Sequence, residues 1–182
     1  MSDSTHSNLE LKIRLDSLDA LRPRVAEVAD KRLPEERQVD TYFHTRRGRL
    51  KLRQIQRPRV PGGQVAHLIW YERENVAATR ESRYQLVPVP HPDELKQALE
   101  RAWGIRGVVS KLREIFLYRN VRIHLDQVEQ LGAFLELEAV VGPQADAGIS
   151  RARLEWLLER LAIDATNYQS LSYADLQLPP EP

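Results

Sequence analysis

Residues 121–138 read VRIHLDQVEQLGAFLELE and contain two segments in which apolar and polar residues alternate. The polar members of the alternation are Arg122, His124, Asp126, Glu136 and Glu138. Because successive side chains of a β-strand point to opposite faces, the pattern predicts two strands, each with one polar and one apolar face. We place them at residues 120–126 and 133–141. The short connection at 127–132 makes them an antiparallel pair.

The same alternation recurs on both sides of this pair and predicts six further strands. They lie at residues 9–15, 38–45, 49–55, 65–73, 80–89 and 108–117. Their charged side chains again follow one another at every second position: Glu10, Lys12 and Arg14, then Arg49, Lys51 and Arg53, then Lys111 and Arg113. The apolar face of these strands carries mainly leucine and isoleucine. The sequence therefore predicts about eight antiparallel strands that share one charged face.

Helical spacing of apolar residues predicts three helices beside the strands. The first spans 17–33 after Asp16 as its N-cap, the second spans 92–103 and stops at Gly104, and the third spans 150–162 with Ser150 as its N-cap. Strands joined by hairpins, without regular alternation of strand and helix, indicate the α+β class. We expect a single domain at 8–178, with flexible ends at 1–7 and 179–182.

The charged face has two interpretations. It can meet solvent, as one face of many antiparallel sheets does. Alternatively, an eight-stranded sheet can close into a barrel and enclose the charged side chains. A dry interior with so many charges would be too costly, so a closed barrel has to hold water, ions or a charged ligand. Carboxylates suit Mg²⁺ or Mn²⁺, and Lys and Arg suit phosphate, which together describe a triphosphate with its metal.

Composition excludes several other classes of function. The chain has 27 Lys and Arg against 26 Asp and Glu, a net charge of +1, so we expect no nucleic-acid partner that depends on excess positive charge. It has no Cys, which excludes disulfides and thiolate chemistry. No apolar run approaches the roughly 18 residues of a membrane span, and residues 1–7 lack the pattern of a signal peptide. We expect a cytoplasmic protein that binds no membrane.

The order of motifs resembles the CYTH superfamily of triphosphate tunnel metalloenzymes, which includes class IV adenylyl cyclases and thiamine triphosphatase. The opening motif of that family matches residues 8–12, Asn-Leu-Glu-Leu-Lys. Its Asp-x-Tyr-Phe hairpin matches 40–43, its basic strand 48–53 and its Lys-x-Arg strand 111–113. Residues 121–138 are the best-matching part, and Ser-Tyr at 172–173 resembles the closing motif. The resemblance covers residues 8–178.

This resemblance implies a closed eight-stranded antiparallel β-tunnel with flanking helices, in which a triphosphate binds with Mg²⁺ or Mn²⁺. The metal positions are Glu10, Asp126, Glu136 and Glu138. The phosphate-binding positions and candidates are Lys12, Arg14, Lys51, Arg53, Arg73, Arg83, Lys111, Arg113 and Arg122. Lys12 is also the candidate catalytic residue, because it could orient or activate the attacking group. Since this chemistry depends on positioning and charge neutralisation, it needs no covalent nucleophile.

Two residues depart from the family pattern. Asn8 occupies the first acidic position of the opening motif and brings no negative charge. After Tyr71, where many relatives have Lys, the chain has Glu72 and Arg73. Arg73 keeps the cationic role only if it faces inward, and a shift of one residue would turn it outward.

Three functions follow as alternatives. The first is an adenylyl cyclase that converts ATP into cyclic AMP and pyrophosphate. The second is a triphosphatase acting on inorganic triphosphate, thiamine triphosphate or a nucleoside triphosphate. The third is a non-catalytic receptor for a nucleotide or polyphosphate. A homodimer is a further expectation from the family, since no specific interface is evident in the sequence.

Overall fold

The computed structural model describes residues 6–74, 78–143, 145–163 and 167–177. These ranges contain nine strands and four helices. The strands are β1 (His6–Leu15), β2 (Lys31–Arg32), β3 (Glu36–Phe43), β4 (Arg49–Gln56), β5 (Gln64–Arg73), β6 (Arg80–Pro88), β7 (Ile105–Tyr118), β8 (Val121–Val128) and β9 (Gly132–Val141). The helices are α1 (Leu21–Val28), α2 (Pro92–Trp103), α3 (Ala147–Arg160) and α4 (Tyr173–Gln177).

Eight of the strands close into an antiparallel barrel in the order β7-β3-β4-β5-β6-β1-β9-β8, because β8 pairs with β7. The extra strand β2 pairs with Phe116 and Leu117 of β7, next to the segment of β7 that pairs with β3. This confirms the predicted α+β class and the closed eight-stranded barrel. It also decides between the two interpretations of the charged face, since closure places that face inside.

The main hydrophobic core lies outside the barrel, between the wall and the helices. Leu11 and Ile13 of β1 and Leu135 and Leu137 of β9 are almost completely buried there, together with Leu157 of α3. A second outer cluster places Leu95 and Leu99 of α2 against β3 and β4. The apolar face of the strands therefore packs outward, and the helices cover it.

Two helix predictions need correction. The first helix is shorter than 17–33: it begins after Ala20 without a side-chain cap, so Asp16 does not cap it. It ends early because residues 31–32 pair with β7 as β2, where the Leu33 amide also donates to the Ile115 carbonyl. The third helix begins at Ala147, where Asp146 accepts from the Ile149 amide. Ser150 is instead buried and accepts a hydrogen bond from Asn120.

The chain ends are described only in part. His6 and Ser7, which we assigned to the flexible N-terminus, belong to β1. Residues 1–5 and 178–182 lie outside the described residues, and so do the predicted flexible tail and the last residue of the predicted domain. Among the described helices, none combines the length and apolar character that a bilayer crossing demands.

Candidate active site

The barrel encloses a cavity of about 640 Å³. Eight Lys and Arg side chains line it: Lys12, Lys51, Arg53, Arg57, Arg73, Lys111, Arg113 and Arg122. Four carboxylates line it as well: Glu10, Glu36, Glu136 and Glu138. The cations thus outnumber the carboxylates two to one, although the whole chain is nearly neutral. A cavity of this size and charge suits a compact polyanion.

Helix α4 closes one end of the cavity with the side chain of Tyr173. The Tyr173 ring lies 3.9 Å from Lys12 Nζ and 4.9 Å from Lys111 Nζ, measured to the ring centroid. Its hydroxyl donates to Asp126 Oδ2 at 2.8 Å. Asp175 of the same helix accepts from Arg49 and Arg106, which fixes α4 to the starts of β4 and β7. The ring therefore covers the part of the cavity where these two lysines lie.

A buried carboxylate, Asp40, organises the cations of β4. It accepts Lys51 Nζ at 2.9 Å and both Nε and Nη2 of Arg53 at 2.7 Å. Burial alone would raise the pKa of Asp40, but Arg53 and Lys51 outweigh it and hold that pKa well below its usual value. Burial, together with repulsion from Arg53, lowers the pKa of Lys51 to about 8. Sequence analysis gave Asp40 no role, because its importance comes from burial between these two cations.

Asp126 organises the cations of β7 in the same way as Asp40 organises those of β4. Its two oxygens accept Arg113 Nε and Nη2 at 2.7 and 2.6 Å, and Lys111 Nζ lies 3.6 Å away. The side chain is completely buried. Burial and the repulsion from Arg113 lower the pKa of Lys111 to about 7. The structure therefore places Asp126 behind the cations, where it orients Arg113, rather than on the cavity surface with the other predicted metal ligands.

Lys12, the candidate catalytic residue, lies beside Glu136. Its Nζ is 3.7 Å from Glu136 Oε1, and Arg113 Nη2 donates to Glu136 Oε2 at 2.5 Å. Burial lowers the pKa of Lys12, although Glu136 partly opposes this. His124 is buried 3.8 Å from the same carboxylate, and burial and Arg113 lower its pKa. The lowered pKa favours the neutral form of His124, which lines the cavity wall.

Glu10 lies between two arginines. Arg73 Nη1 donates to Glu10 Oε1 at 3.0 Å, and Arg80 Nε donates to the same oxygen at 3.1 Å. Arg73 faces inward together with Tyr71, while Glu72 faces outward, so Arg73 occupies the inner face as its proposed cationic role requires. Arg80 also donates to the carbonyls of Gln169 and Ser170. Sequence analysis missed Arg80, since the register of β6 depends on pairing with β1 and is not evident from the local pattern.

Asn8 and Arg122 both contact Glu138. The Asn8 side-chain amide donates to Glu138 Oε1, and Arg122 Nη1 donates to Glu138 Oε2 at 3.3 Å. Asn8 is 1% exposed, and its Oδ1 has no hydrogen-bond partner among the described residues. A buried carbonyl oxygen is thereby left available on a side chain that contacts Glu138.

These oxygens have the chemistry that a hard divalent cation requires. Glu10, Glu136 and Glu138 face the cavity and retain 15%, 16% and 19% exposure of their side chains, and Asn8 Oδ1 is unpaired. Carboxylate and amide oxygens are the ligands that Mg²⁺ and Mn²⁺ prefer. Within the described ranges, however, no three His, Asp or Glu side chains are already arranged around one point. Their partners are instead the neighbouring Lys, Arg and Asn side chains.

The structure brings most of the predicted residues together, but two lie elsewhere. Arg14 is exposed and donates to the Leu131 carbonyl, near the end of β1, where β1 still pairs with β9 but no longer with β6. The Arg83 side chain is 67% exposed and pairs with Glu81. Both lie outside the enclosed cavity. Glu36, Gln38 and Arg57 were not predicted but line it; the alternation along β3, which puts residues 36, 38, 40 and 42 on one face, would have found the first two.

Comparison with known proteins agrees with this geometry. The profile of a family described as CYTH domain matches residues 6–171. The chain belongs to the CYTH domain family. This confirms the resemblance drawn from the motifs, and it means that the charged cavity is a CYTH tunnel.

Individual relatives of this CYTH chain are distant. A Methanocaldococcus jannaschii protein named "Putative adenylate cyclase" is 22% identical over 173 residues, covering 93% of this chain and 97% of that protein. A solved Pyrococcus horikoshii structure has a TM-score of 0.78 at 20% identity, covering 93% and 98% of the two chains. A Hippeastrum structure, described as a "putative adenylyl cyclase" with a dominant triphosphatase activity, has a TM-score of 0.63 at 12% identity, covering 94% and 93%. At these identities the structural likeness shows a shared fold.

Proposed function

We propose that this CYTH protein is a metal-dependent enzyme that binds a triphosphate in its tunnel and converts ATP into cyclic AMP and pyrophosphate. The observation that carries the proposal is the local excess of Lys and Arg side chains around an enclosed cavity in a chain with a net charge of only +1. The buried carboxylates Asp40 and Asp126 offset part of this charge, but eight Lys and Arg against six carboxylates still leave a positive excess, which a bound polyanion would neutralise.

The residues divide into two groups around the proposed ligand. Lys51, Arg53, Lys111 and Arg113 lie on β4 and β7, where Asp40 and Asp126 hold them in place. We assign these four to the phosphates, since Arg and Lys bind phosphate oxygens with charge-assisted hydrogen bonds. Arg73 and Arg122 add positive charge beside β1 and β9. Glu10, Glu136 and Glu138, with Asn8 Oδ1, would hold Mg²⁺ or Mn²⁺, which would neutralise charge on the phosphates.

Lys12 lies where the two groups meet. In the proposed reaction, the ribose 3′-oxygen forms a bond to the α-phosphorus while the bond from that phosphorus to the pyrophosphate oxygen breaks. Because burial lowers its pKa, Lys12 has a larger neutral fraction, which can accept the proton of the attacking hydroxyl. Tyr173 would keep bulk water from this part of the tunnel, which would limit competing hydrolysis.

A second candidate is hydrolysis of a triphosphate at its terminal phosphorus. It is favoured by the Hippeastrum neighbour, which shares the fold and is described as having a dominant triphosphatase activity. The same cations and carboxylates would serve both reactions. The outcome depends on which phosphorus meets the nucleophile.

Product analysis tests both candidates. The purified protein is incubated with ATP, inorganic triphosphate or thiamine triphosphate, each with Mg²⁺ and with Mn²⁺. Cyclic AMP with pyrophosphate supports the first candidate, and release of phosphate supports the second. Tight binding without turnover would leave only the receptor.

Two variants connect any activity to the tunnel. Glu136→Gln and Lys12→Met should each lower turnover at least about 100-fold, as losses of preorganised charge contacts do in other enzymes. Lys31→Arg, an exposed change on β2, is the matched control and should leave turnover unchanged. Full activity in both tunnel variants would contradict the proposed site.

A further inference from the structure

The end of the tunnel opposite helix α4, which we call the open end, contains a buried amide to which no phosphate-binding or metal-binding role was assigned above. Gln38 of β3 lines the cavity and is only 3% exposed. Its Nε2 donates to Glu36 Oε2 at 2.5 Å. Its Oε1 has no hydrogen-bond partner among the described residues. A buried carbonyl left unpaired is costly, which indicates that something other than these side chains completes it.

Neighbouring contacts fix the orientation of this amide. Arg57 donates to Glu36 Oε1 through Nε at 2.8 Å and Nη2 at 2.6 Å, which holds the Glu36 carboxylate in place. The carboxylate in turn selects the NH₂ group of Gln38 as its neighbour. Rotation of the amide by half a turn would place two acceptor oxygens against each other. Gln38 Oε1 is therefore held as an acceptor.

The nearby cations already have acceptors. Lys51 and Arg53 donate to Asp40, and Arg57 donates to Glu36. Lys111, the β7 neighbour of Gln38, has its Nζ 3.6 Å from Asp126 and 4.9 Å from the centre of the Tyr173 ring. None of the described side chains donates to Gln38 Oε1, so the group that completes it comes from a bound molecule, either water or a ligand, that brings an N–H or O–H.

Phosphate oxygens cannot fill this position, because an ionised triphosphate offers acceptors only. The surroundings of Gln38 instead suit a flat organic group. Ile55 lies opposite Gln38 in the β3–β4 pair, and Leu33 and Ile115 line the same cavity. Sites for small organic ligands combine apolar wall residues with a few oriented polar groups, and glutamine amides pair with the amino group of adenine elsewhere.

We propose that Gln38 Oε1 accepts a hydrogen bond from the amino group of the base of a nucleoside triphosphate, so that the open end of the tunnel is a base-recognition subsite. The inference rests on the proposed function, since it assumes that the deeper cations hold the phosphates. It specifies the substrate class as an amino-bearing nucleoside triphosphate rather than inorganic triphosphate.

The test compares ATP with purine riboside triphosphate, which lacks only the amino group, in calorimetric binding experiments with Mg²⁺. The wild-type protein should bind ATP about tenfold more tightly, the effect of leaving one buried acceptor unpaired. In Gln38→Met this preference should disappear, while the affinity for inorganic triphosphate changes less than about twofold. Gln54→Met is the matched control, because Gln54 lies on the outer face of β4 and bonds Asp93; it should keep the preference.

Each outcome separates the two proposals. If wild-type protein binds inorganic triphosphate but does not distinguish the two nucleotides, or if Gln38→Met keeps the preference, base recognition by Gln38 is wrong and the tunnel assignment stands. If Gln38→Met weakened the binding of all three ligands equally, base recognition by Gln38 would also be wrong, since Gln38 would then only support Glu36 and Arg57. If wild-type protein binds none of the three ligands, the proposed function itself fails. The wild-type comparison needs no variant, so it decides even if Gln38→Met does not fold.

Discussion

The hydroxyl of Tyr173 donates a hydrogen bond of 2.8 Å to Oδ2 of Asp126, which joins the C-terminal helix to the inner wall of the barrel. The same carboxylate orients Arg113 with two further hydrogen bonds. The Asp126 carboxylate thus connects Tyr173, at the closed end of the tunnel, with Arg113, a proposed phosphate-binding residue.

Two substitutions separate the hydroxyl of Tyr173 from its ring. Tyr173→Phe removes only the hydrogen bond, and because Asp126 keeps both bonds from Arg113, we expect a loss of about 1 kcal/mol in the free energy of unfolding. Tyr173→Ala also removes the ring between Lys12 and Lys111 and should cost about 3–5 kcal/mol. Urea denaturation measures both. Equal losses in the two variants would show that the ring contributes nothing.

Asp40→Asn tests the buried ion cluster of β3 and β4. The substitution keeps the side-chain volume but leaves Lys51 and Arg53 buried without their counter-ion, so it should cost about 3–5 kcal/mol of unfolding free energy. Asp19→Asn is the control, because Asp19 is exposed and pairs with Arg22 at the surface. We expect no measurable change there. A similar small effect at both positions would argue against the role given to Asp40.

The same cluster predicts how the free energy of unfolding changes as the pH is lowered. Burial would raise the pKa of Asp40, but Arg53 and Lys51 hold it well below the value of about 3.9 expected in the unfolded chain. As the pH falls, Asp40 is therefore protonated in the unfolded chain before it is protonated in the folded protein. The stability that Asp40 contributes is fully present above about pH 4 and is lost progressively at lower pH. Wild type and Asp40→Asn should differ in unfolding free energy at pH 7 and converge toward pH 2. A constant difference would contradict the assignment.

The lowered pKa values of Lys111 and Lys51 predict that the affinity for triphosphate falls as the pH rises above neutrality. Burial and neighbouring arginines lower their pKa values to about 7 and about 8, so both lysines lose positive charge as the pH rises. Binding an anion requires that charge, which makes binding take up protons and weaken between pH 7.5 and 9.5. Lys111→Arg keeps the charge throughout this range and should flatten the dependence. Calorimetric titrations with inorganic triphosphate at fixed Mg²⁺, with Lys31→Arg as an exposed control, measure the slopes.

Asn8→Glu tests the metal assignment. The change removes the bond from the Asn8 amide to Glu138 and places a second carboxylate beside it, so the metal-free protein should unfold at a lower temperature. A metal would neutralise both carboxylates. We therefore expect Mn²⁺ to raise the unfolding temperature more in the variant than in wild type. An equal rise in both proteins would place the metal away from Asn8.

Strand patterns predicted much of the architecture, because the alternation of polar and apolar residues is a local property that does not depend on tertiary contacts. The apolar face of β1 and β9 and the full span of α2 follow from it directly. The length of α1 does not, since residues 31–33 leave the helix to hydrogen-bond with β7, a partner more than 80 positions away. Ser150 likewise has a side chain suited to an N-cap, but in the structure it is buried and accepts a hydrogen bond from Asn120.

The sequence by itself determined that five of the strands carry charged residues at every second position and that both cations and carboxylates occur among them. Only the tertiary structure decided which of these groups meet. Closure of the barrel turned Arg73 inward beside Glu10 and buried Asp126 behind Arg113, while Arg14 stayed in solvent at the end of β1. The physical reason is that a charge inside a barrel is tolerated only with a partner, and partners come from strands far apart in the chain. Gln38 Oε1 and Asn8 Oδ1, which have no partner among the described residues, could be recognised only after every other contact was known.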